Sequence, residues 1–301
     1  MAARFDANGA AQTFAVGEAD AETRFEIGSI TKLFTSLLLA DMVLAGEVAL
    51  DDPVTDYLPD GALAQAPGIT LRMLARHRSG LPGLPYNMFV GGSAFAPDQA
   101  NPYSEFDEAA FLEWVEGVEP DAEPEAEFAY SNAGFALLGQ ALARAAGQPY
   151  ETLLIERIVR PMQLGQTDFQ KDGLVTAYAN GDVTPPWDLA MLAPAGALVS
   201  TLEDMIAFGR IIADPTERWE RHVAMIAADP VAAMGQAEIG LGLIQVDVGQ
   251  QTFWLHNGGT GGFSTSLWVE PGTGRGAVVL LNSMDERSEP IAMWMLRRTR
   301  S

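Results

Sequence analysis

Ser29-Ile30-Thr31-Lys32 stands at the head of a strongly apolar stretch, Leu33-Phe34-Thr35-Ser36-Leu37-Leu38-Leu39-Ala40. The chain has only two lysines in 301 residues, Lys32 and Lys171, so a chance Ser-x-x-Lys match is rare. Apolar residues at Ile30, Leu33, Phe34, Leu37 and Leu38 follow the i, i+3, i+4, i+7, i+8 stripe. That spacing predicts an amphipathic helix beginning at Gly28 or Ser29 and stopping near Gly46. Residues three apart on a helix are neighbours, so the Lys32 amine can reach the Ser29 hydroxyl. Unpaired N–H groups at a helix start favour a developing anion there. A serine in this place is poised as a nucleophile but needs a base. For lysine to serve near neutral pH its pKa must fall from about 10.4 by roughly three units, about 4 kcal/mol, which burial in an apolar site can supply. The alternative is an ordinary N-cap at Ser29 and a first-turn surface residue at Lys32.

Outward from this motif, composition sets the class. The chain is 48% hydrophobic and 19% charged, the balance of a globular protein with a large core. No apolar run reaches transmembrane length, and the first residues lack the apolar region of a signal peptide. The reading is a cytoplasmic chain or a mature form without its leader. Cysteine is absent, which excludes disulfides, thiolate catalysis and cysteine-bound metals. A net charge of −22 makes nucleic acid and anionic membranes poor partners.

Strands are expected at both ends. Arg4–Asp6 and Thr13–Val16 read as a hairpin around an Asn8-Gly9 type I′ turn. Gly240–Val246, Thr252–His256, Thr265–Val269 and Gly276–Leu281 read as consecutive antiparallel strands, with Pro271-Gly272 turning between the last two. Helices are expected at Leu71–Arg76, Glu108–Gly117, Ala133–Ala146, Tyr150–Arg160, Thr201–Ile212 and Glu289–Arg298. The fold class is therefore α+β: an antiparallel sheet formed from both termini, flanked by helices, with a mostly helical insertion. Residues 1–50 and 191–301 make the sheet domain and 51–190 the helical domain, with the active site in the cleft between them. The long loop 84–104 is expected at the pocket rim.

Two further motifs bear on chemistry. Tyr130-Ser131-Asn132 precedes a helix, and its phenol and carboxamide can point into one cleft. The phenol can relay a proton to a leaving group if a cationic neighbour lowers its pKa from about 10. The alternative is an N-cap cluster. His256-Asn257-Gly258-Gly259 reads as the end of a strand turning into a glycine-rich loop, where a ligand can approach unshielded N–H groups. His77 and His222 show no metal-ligand spacing with His256. A purely structural histidine is the alternative there.

Taken together, Ser29/Lys32, Tyr130/Asn132 and His256/Gly258 resemble, in order and separation, the Ser-x-x-Lys, Tyr-x-Asn and Lys/His-x-Gly motifs of the penicillin-recognising serine hydrolases. These include class C β-lactamases, DD-peptidases and the esterases of that fold. Phe25–Lys32, His77–Pro82 and Pro194–Thr201 add to the resemblance, which covers nearly the whole chain. It implies the β-lactamase/transpeptidase-like fold and a nucleophilic Ser29 that forms an acyl-enzyme. It implies general acid and base work shared by Lys32 and Tyr130, and substrate contact by Asn132. It also implies an oxyanion hole from the N–H groups of Ser29 and Gly259. No metal or organic cofactor is implied. By family analogy the compartment is periplasmic or extracellular if a leader was removed.

Two departures shape the expected function. The family normally begins with a helix on the sheet, whereas this sequence opens on its first strand. That leaves the sheet partly uncovered or covered by another subunit, and leaves a homo-oligomer open. The third motif carries His256 where a lysine would give a fixed cation for the carboxylate of penicillins, and histidine is mostly neutral at pH 7. An acidic block from Glu105 to Glu127 runs up to Tyr130; it is either a solvated face or a repellent border for anionic substrates. The expected activity is hydrolysis of small acyl esters. The alternatives are a class C-like β-lactamase or D-amino-acid peptidase, and a non-catalytic ligand-binding sensor of the same fold.

Overall fold

The structure is a computed structural model that describes residues 1–7, 9–17, 19–89, 101–125, 127–284 and 287–297. The strands are β1 (Ala2–Phe5), β2 (Gln12–Phe14), β3 (Arg24–Glu26), β4 (Ala177–Ala179), β5 (Asp182–Thr184), β6 (Val199–Thr201), β7 (Val231–Ala232), β8 (Glu238–Ile239), β9 (Ile244–Val248), β10 (Gln251–Gly259), β11 (Ser264–Glu270) and β12 (Arg275–Leu281). The helices are α1 (Thr31–Leu44), α2 (Leu71–Ala75), α3 (Glu108–Gly117), α4 (Asn132–Ala146), α5 (Tyr150–Leu154), α6 (Ala193–Gly196), α7 (Leu202–Ala213), α8 (Glu217–Ala227) and α9 (Ser288–Arg297). Among these residues no helix is long and apolar enough to cross a membrane.

Eight strands form one antiparallel sheet in the order β2-β1-β12-β11-β10-β9-β8-β7. Both ends of the chain thus build it: Ala2 pairs with Val279 and Phe5 with Gly276. The alternation of β12 divides the core. Val278 and Leu280 face α7 and the main core, while Ala277 and Val279 face a smaller cluster closed by Ala292, Met295 and Leu296 of α9.

α1 runs through the middle of the main core. The sequence predicts an amphipathic helix there, but every residue from Thr31 to Ala40 is buried. A helix enclosed on all sides needs no polar face. Phe34 stacks on Phe208 of α7 with ring centroids 4.0 Å apart, which locks α1 to the helix that covers the sheet. The Gly28–Ile30 segment is a 3₁₀ turn that leads into α1.

Other boundaries differ for local reasons. Arg4 pairs with Gln12, so the first hairpin has a longer connection than a two-residue turn; Asn8 lies outside the described residues. The expected strand Gly240–Val246 begins only at Ile244, in β9, because Gly242 adopts φ +70 and residues 240–243 turn the chain between Ile239 of β8 and Ile244. Tyr150–Val159 is helical as expected, with its second half a π turn. Most of the loop expected at the pocket rim, residues 90–100, lies outside the described residues. The ten acidic side chains between Glu105 and Glu127 are all exposed, and two are held by arginines, Glu108 by Arg144 and Glu125 by Arg78. They form a solvated face.

Candidate active site

The 3₁₀ turn carrying Ser29 is pressed against β10. Gly28 has φ +51, and a Cβ there would lie 2.6 Å from the Gly259 nitrogen. A Cβ on Gly258 would lie 2.0 Å from the Ile27 carbonyl oxygen. Both positions require glycine for the two segments to approach this closely. The Thr265 hydroxyl donates to the same Ile27 carbonyl at 2.9 Å and ties the turn to the sheet.

Lys32 lies one helical turn beyond Ser29 and is completely buried. Its Nζ is 3.0 Å from Ser29 Oγ, 2.7 Å from Asn132 Oδ1 and 2.7 Å from the Ala195 carbonyl oxygen. Burial holds its pKa well below that of a free lysine. The Ala195 carbonyl and Asn132 Oδ1 can only accept hydrogen bonds. A neutral amine that donates to these two keeps its lone pair for the Ser29 hydroxyl. That is the geometry of a base beside a nucleophile. The surface alternative for Lys32 is excluded by its burial.

Tyr130 and Asn132 flank Ser131, which caps α4: its Oγ accepts from the Gly134 N–H at 2.8 Å. The N-cap reading and the paired side chains therefore coexist. Tyr130 is 37% exposed, but its hydroxyl end is enclosed and hydrogen-bonded with Ser29. The Lys32 Nζ lies 4.8 Å from the centre of its ring. The proton relay expected of this phenol needs a cation to lower its pKa. Burial raises it instead, with the Ser29 hydrogen bond opposing. Tyr130 therefore stays a protonated donor.

His256 does not end its strand, since β10 continues to Gly259. β9 pairs with β10 only up to Leu255, so residues 256–259 project past it with one edge open. The Thr260 N–H bonds to Phe263 O at 3.1 Å. Alternation along an antiparallel pair then turns the Gly259 N–H away from β11, toward the Ser29 turn. The His256 ring is 2% exposed. Its Nδ1 lies 2.7 Å from the Asn257 carbonyl, so Nδ1 carries the proton, and Nε2 is left as a buried acceptor without a partner among the described residues. Burial, and secondarily Lys32, push its pKa down to about 3. It carries no charge at neutral pH.

The structure thus brings Ser29, Lys32, Tyr130, Asn132, His256, Gly258 and Gly259 to one place. It adds participants that the motifs do not name. The Ala195 carbonyl holds Lys32; its only trace in the sequence is the Pro194–Thr201 stretch. His77, read in the sequence as the start of His77–Pro82 and as lacking metal-ligand spacing with His256, packs on Tyr130 with ring centroids 4.4 Å apart. Among the described residues no three His, Asp or Glu side chains converge as a metal site.

A 189-residue stretch is 29% identical to a β-lactamase of Escherichia coli strain K12, covering 61% of this chain and 46% of that protein. A 146-residue stretch is 37% identical to the D-alanyl-D-alanine-carboxypeptidase/endopeptidase AmpH of the same organism, covering 48% of this chain and 36% of AmpH. The chain thus spans less than half the length of either relative. A β-lactamase/D-alanine carboxypeptidase from Yersinia pestis, solved with citrate, superposes over 98% of this chain and 92% of its own, with a TM-score of 0.79 and 25% identity. The sequence model of the family described as Beta-lactamase matches residues 4–299, and the chain belongs to that family.

Proposed function

We propose that the chain is a serine hydrolase that cleaves small acyl esters through an acyl-enzyme on Ser29. The observation that carries the reading is the buried Lys32 amine, 3.0 Å from Ser29 Oγ and held by two groups that only accept. The amine takes the hydroxyl proton as Oγ attacks the ester carbonyl. The N–H groups of Ser29 and Gly259 receive the oxyanion, and removing one such donor typically lowers kcat by about 10²–10³. Tyr130, hydrogen-bonded with Ser29, passes a proton to the departing alcohol and is recharged from Lys32. Water then cleaves the acyl-enzyme. Asn132 keeps Lys32 in place and faces the substrate, and Gly258 lets β10 lie close to the Ser29 turn. The cleft lies between the sheet portion, residues 1–50 and 191–301, and the helical portion, 51–190.

An uncharged His256 supports esters over penicillins, because no fixed cation stands there to meet a carboxylate. The test compares steady-state turnover of short p-nitrophenyl esters with that of nitrocefin. Efficient ester cleavage is expected; rapid nitrocefin turnover with negligible ester cleavage would overturn the reading. That result would favour a second one, hydrolysis of β-lactam or D-amino-acid amides, which the activities named for the relatives support. A ligand-binding sensor is set apart by a fluorophosphonate probe, which labels Ser29 only if the serine is activated.

A further inference from the structure

Tyr130 and His256 also form the inner end of a groove of about 630 Å³. Its lining runs from these two residues past Leu255 of β10 and Val246 of β9 to the sheet face on which α9 packs. Leu255, Val246 and Trp268 form its apolar floor, and Met293 of α9 borders it. A volume of this order holds a small organic ligand. Glu289 and Asp247 stand among the lining residues, and none of the lining residues is Lys or Arg. Glu289 accepts from Asn257 Nδ2 at 2.6 Å, which fixes its carboxylate beside the groove. At the inner end, His256 Nε2 is a buried acceptor without a protein partner. The groove therefore offers apolar surface and negative charge, with no cationic side chain in its lining to receive an anion.

We propose that this groove receives the leaving-group half of the substrate, and that this half is an apolar alcohol free of anionic groups. The inference rests on the ester-hydrolase reading. Tyr130 delivers the proton to the departing oxygen, and the groove begins at Tyr130, so the substituent on that oxygen extends into it. When the Ser29 Oγ–acyl bond forms and the acyl–oxygen bond breaks, the proton from Ser29, relayed through Lys32 and Tyr130, ends on the alcohol. The released alcohol is then lying along Leu255, Val246 and Trp268.

Two ester series separate the halves. Acetyl esters of n-alkanols from ethyl to octyl vary the alcohol, read by acetate release. p-Nitrophenyl esters from acetate to octanoate vary only the acyl group. With the alkanols, kcat/KM is expected to rise by about fourfold per buried methylene until the groove is full. The carboxylate-ended 8-acetoxyoctanoate should be at least about tenfold poorer than octyl acetate. Val246→Trp, which fills the floor, should lower the octyl-to-ethyl ratio by at least about tenfold. Met293→Lys, a half-buried position on α9, should improve 8-acetoxyoctanoate relative to octyl acetate. A flat alkanol series with p-nitrophenyl esters still cleaved overturns the proposal, as does length dependence confined to the acyl series. If neither series is cleaved, the ester reading has failed, and the groove is judged by octan-1-ol binding to Ser29→Ala, read by tryptophan fluorescence with Trp268→Phe as control. Saturable binding lost in Val246→Trp supports the groove; its absence overturns it.

Discussion

The Ser131 backbone N–H donates to Nδ1 of His77 at 3.0 Å. That bond fixes the histidine as the Nε2–H tautomer, and burial holds its pKa well below the usual histidine value, so the ring stays neutral. His77 sits in the left-handed region with φ +55 and stacks on Tyr130, so one residue braces the segment that presents Tyr130 and Asn132. His77→Ala leaves the Ser131 N–H buried without an acceptor, which costs about 1–3 kcal/mol of stability in a denaturant titration. It also frees Tyr130, and kcat should fall by up to about 10²-fold with KM little changed. His77→Asn keeps an acceptor near Nδ1 and tolerates positive φ, so it should restore much of both. Equal activity in the alanine and asparagine variants would reject the positioning role.

Lys32 sets the acid limb of the pH profile. Only its neutral form can accept the serine proton, so kcat/KM should fall as pH drops through its folded pKa. Burial places that limb well below 10.5. Lys32→Ala should slow Ser29 labelling by a fluorophosphonate by about 10²–10⁴-fold, the usual contribution of a general base, with the fold intact by circular dichroism. Near wild-type ester turnover in that variant would refute the assignment.

His256→Lys tests charge at the third motif. Wild-type His256, pushed down to about 3, adds no ionisation to the profile at neutral pH. A lysine there should raise kcat/KM for a carboxylate-bearing substrate relative to a neutral ester by about tenfold, one charge-assisted hydrogen bond. By repulsion it should also move the Lys32 limb to lower pH. Unchanged discrimination between the two substrates would show that the residue does not face the substrate.

Much of this was legible in the sequence because caps and motifs are local signals. Asp107 and Thr201 mark the starts of α3 and α7, and each accepts a hydrogen bond from an N–H three residues on. Ser29, Lys32, Tyr130, Asn132 and His256 carry their chemistry in their side chains and could be named in advance. The Ala195 carbonyl could not, because a backbone group has no residue identity. Nor could the sign of the Tyr130 shift, which depends on how deeply the fold encloses one hydroxyl. α8 escaped because only Trp219, Val223 and Ile226 of its face are buried, within an otherwise charged stretch. β8 carried no signal because a two-residue strand leaves no periodicity to read, and the turn at residues 240–243 read as strand from its apolar residues.

Gly258→Ala should disable the site while leaving its side chains unchanged. The added Cβ would meet the Ile27 carbonyl oxygen at 2.0 Å, a backbone group that cannot rotate away. The Ser29 turn must then separate from β10, moving the Ser29 and Gly259 N–H groups apart. Overpacking of this kind typically costs about 1–3 kcal/mol of stability. Loss of oxyanion alignment should lower kcat by about 10²–10³-fold. Gly259→Ala serves as the comparison, because its Cβ would meet nothing nearer than 4.0 Å. Its stability should stay close to wild type.

The chain's other lysine is expected to matter for folding. Glu26, on β3 just before the Ser29 turn, is 1% exposed, and its Oε1 lies 3.1 Å from Lys171 Nζ. The same oxygen accepts the Trp187 N–H at 2.9 Å, so Glu26 joins the turn to the 187 segment. Lys171→Met removes the cation paired with a buried carboxylate, and losing one partner of a buried pair costs about 3 kcal/mol or more. The double variant Lys171→Met/Glu26→Gln removes the charge but keeps an acceptor for Trp187, so it should recover most of that loss. Denaturant midpoints of the two single variants and the double variant close the cycle. If the double variant is as unstable as the sum of the singles, the two residues are not coupled and the pair holds nothing together.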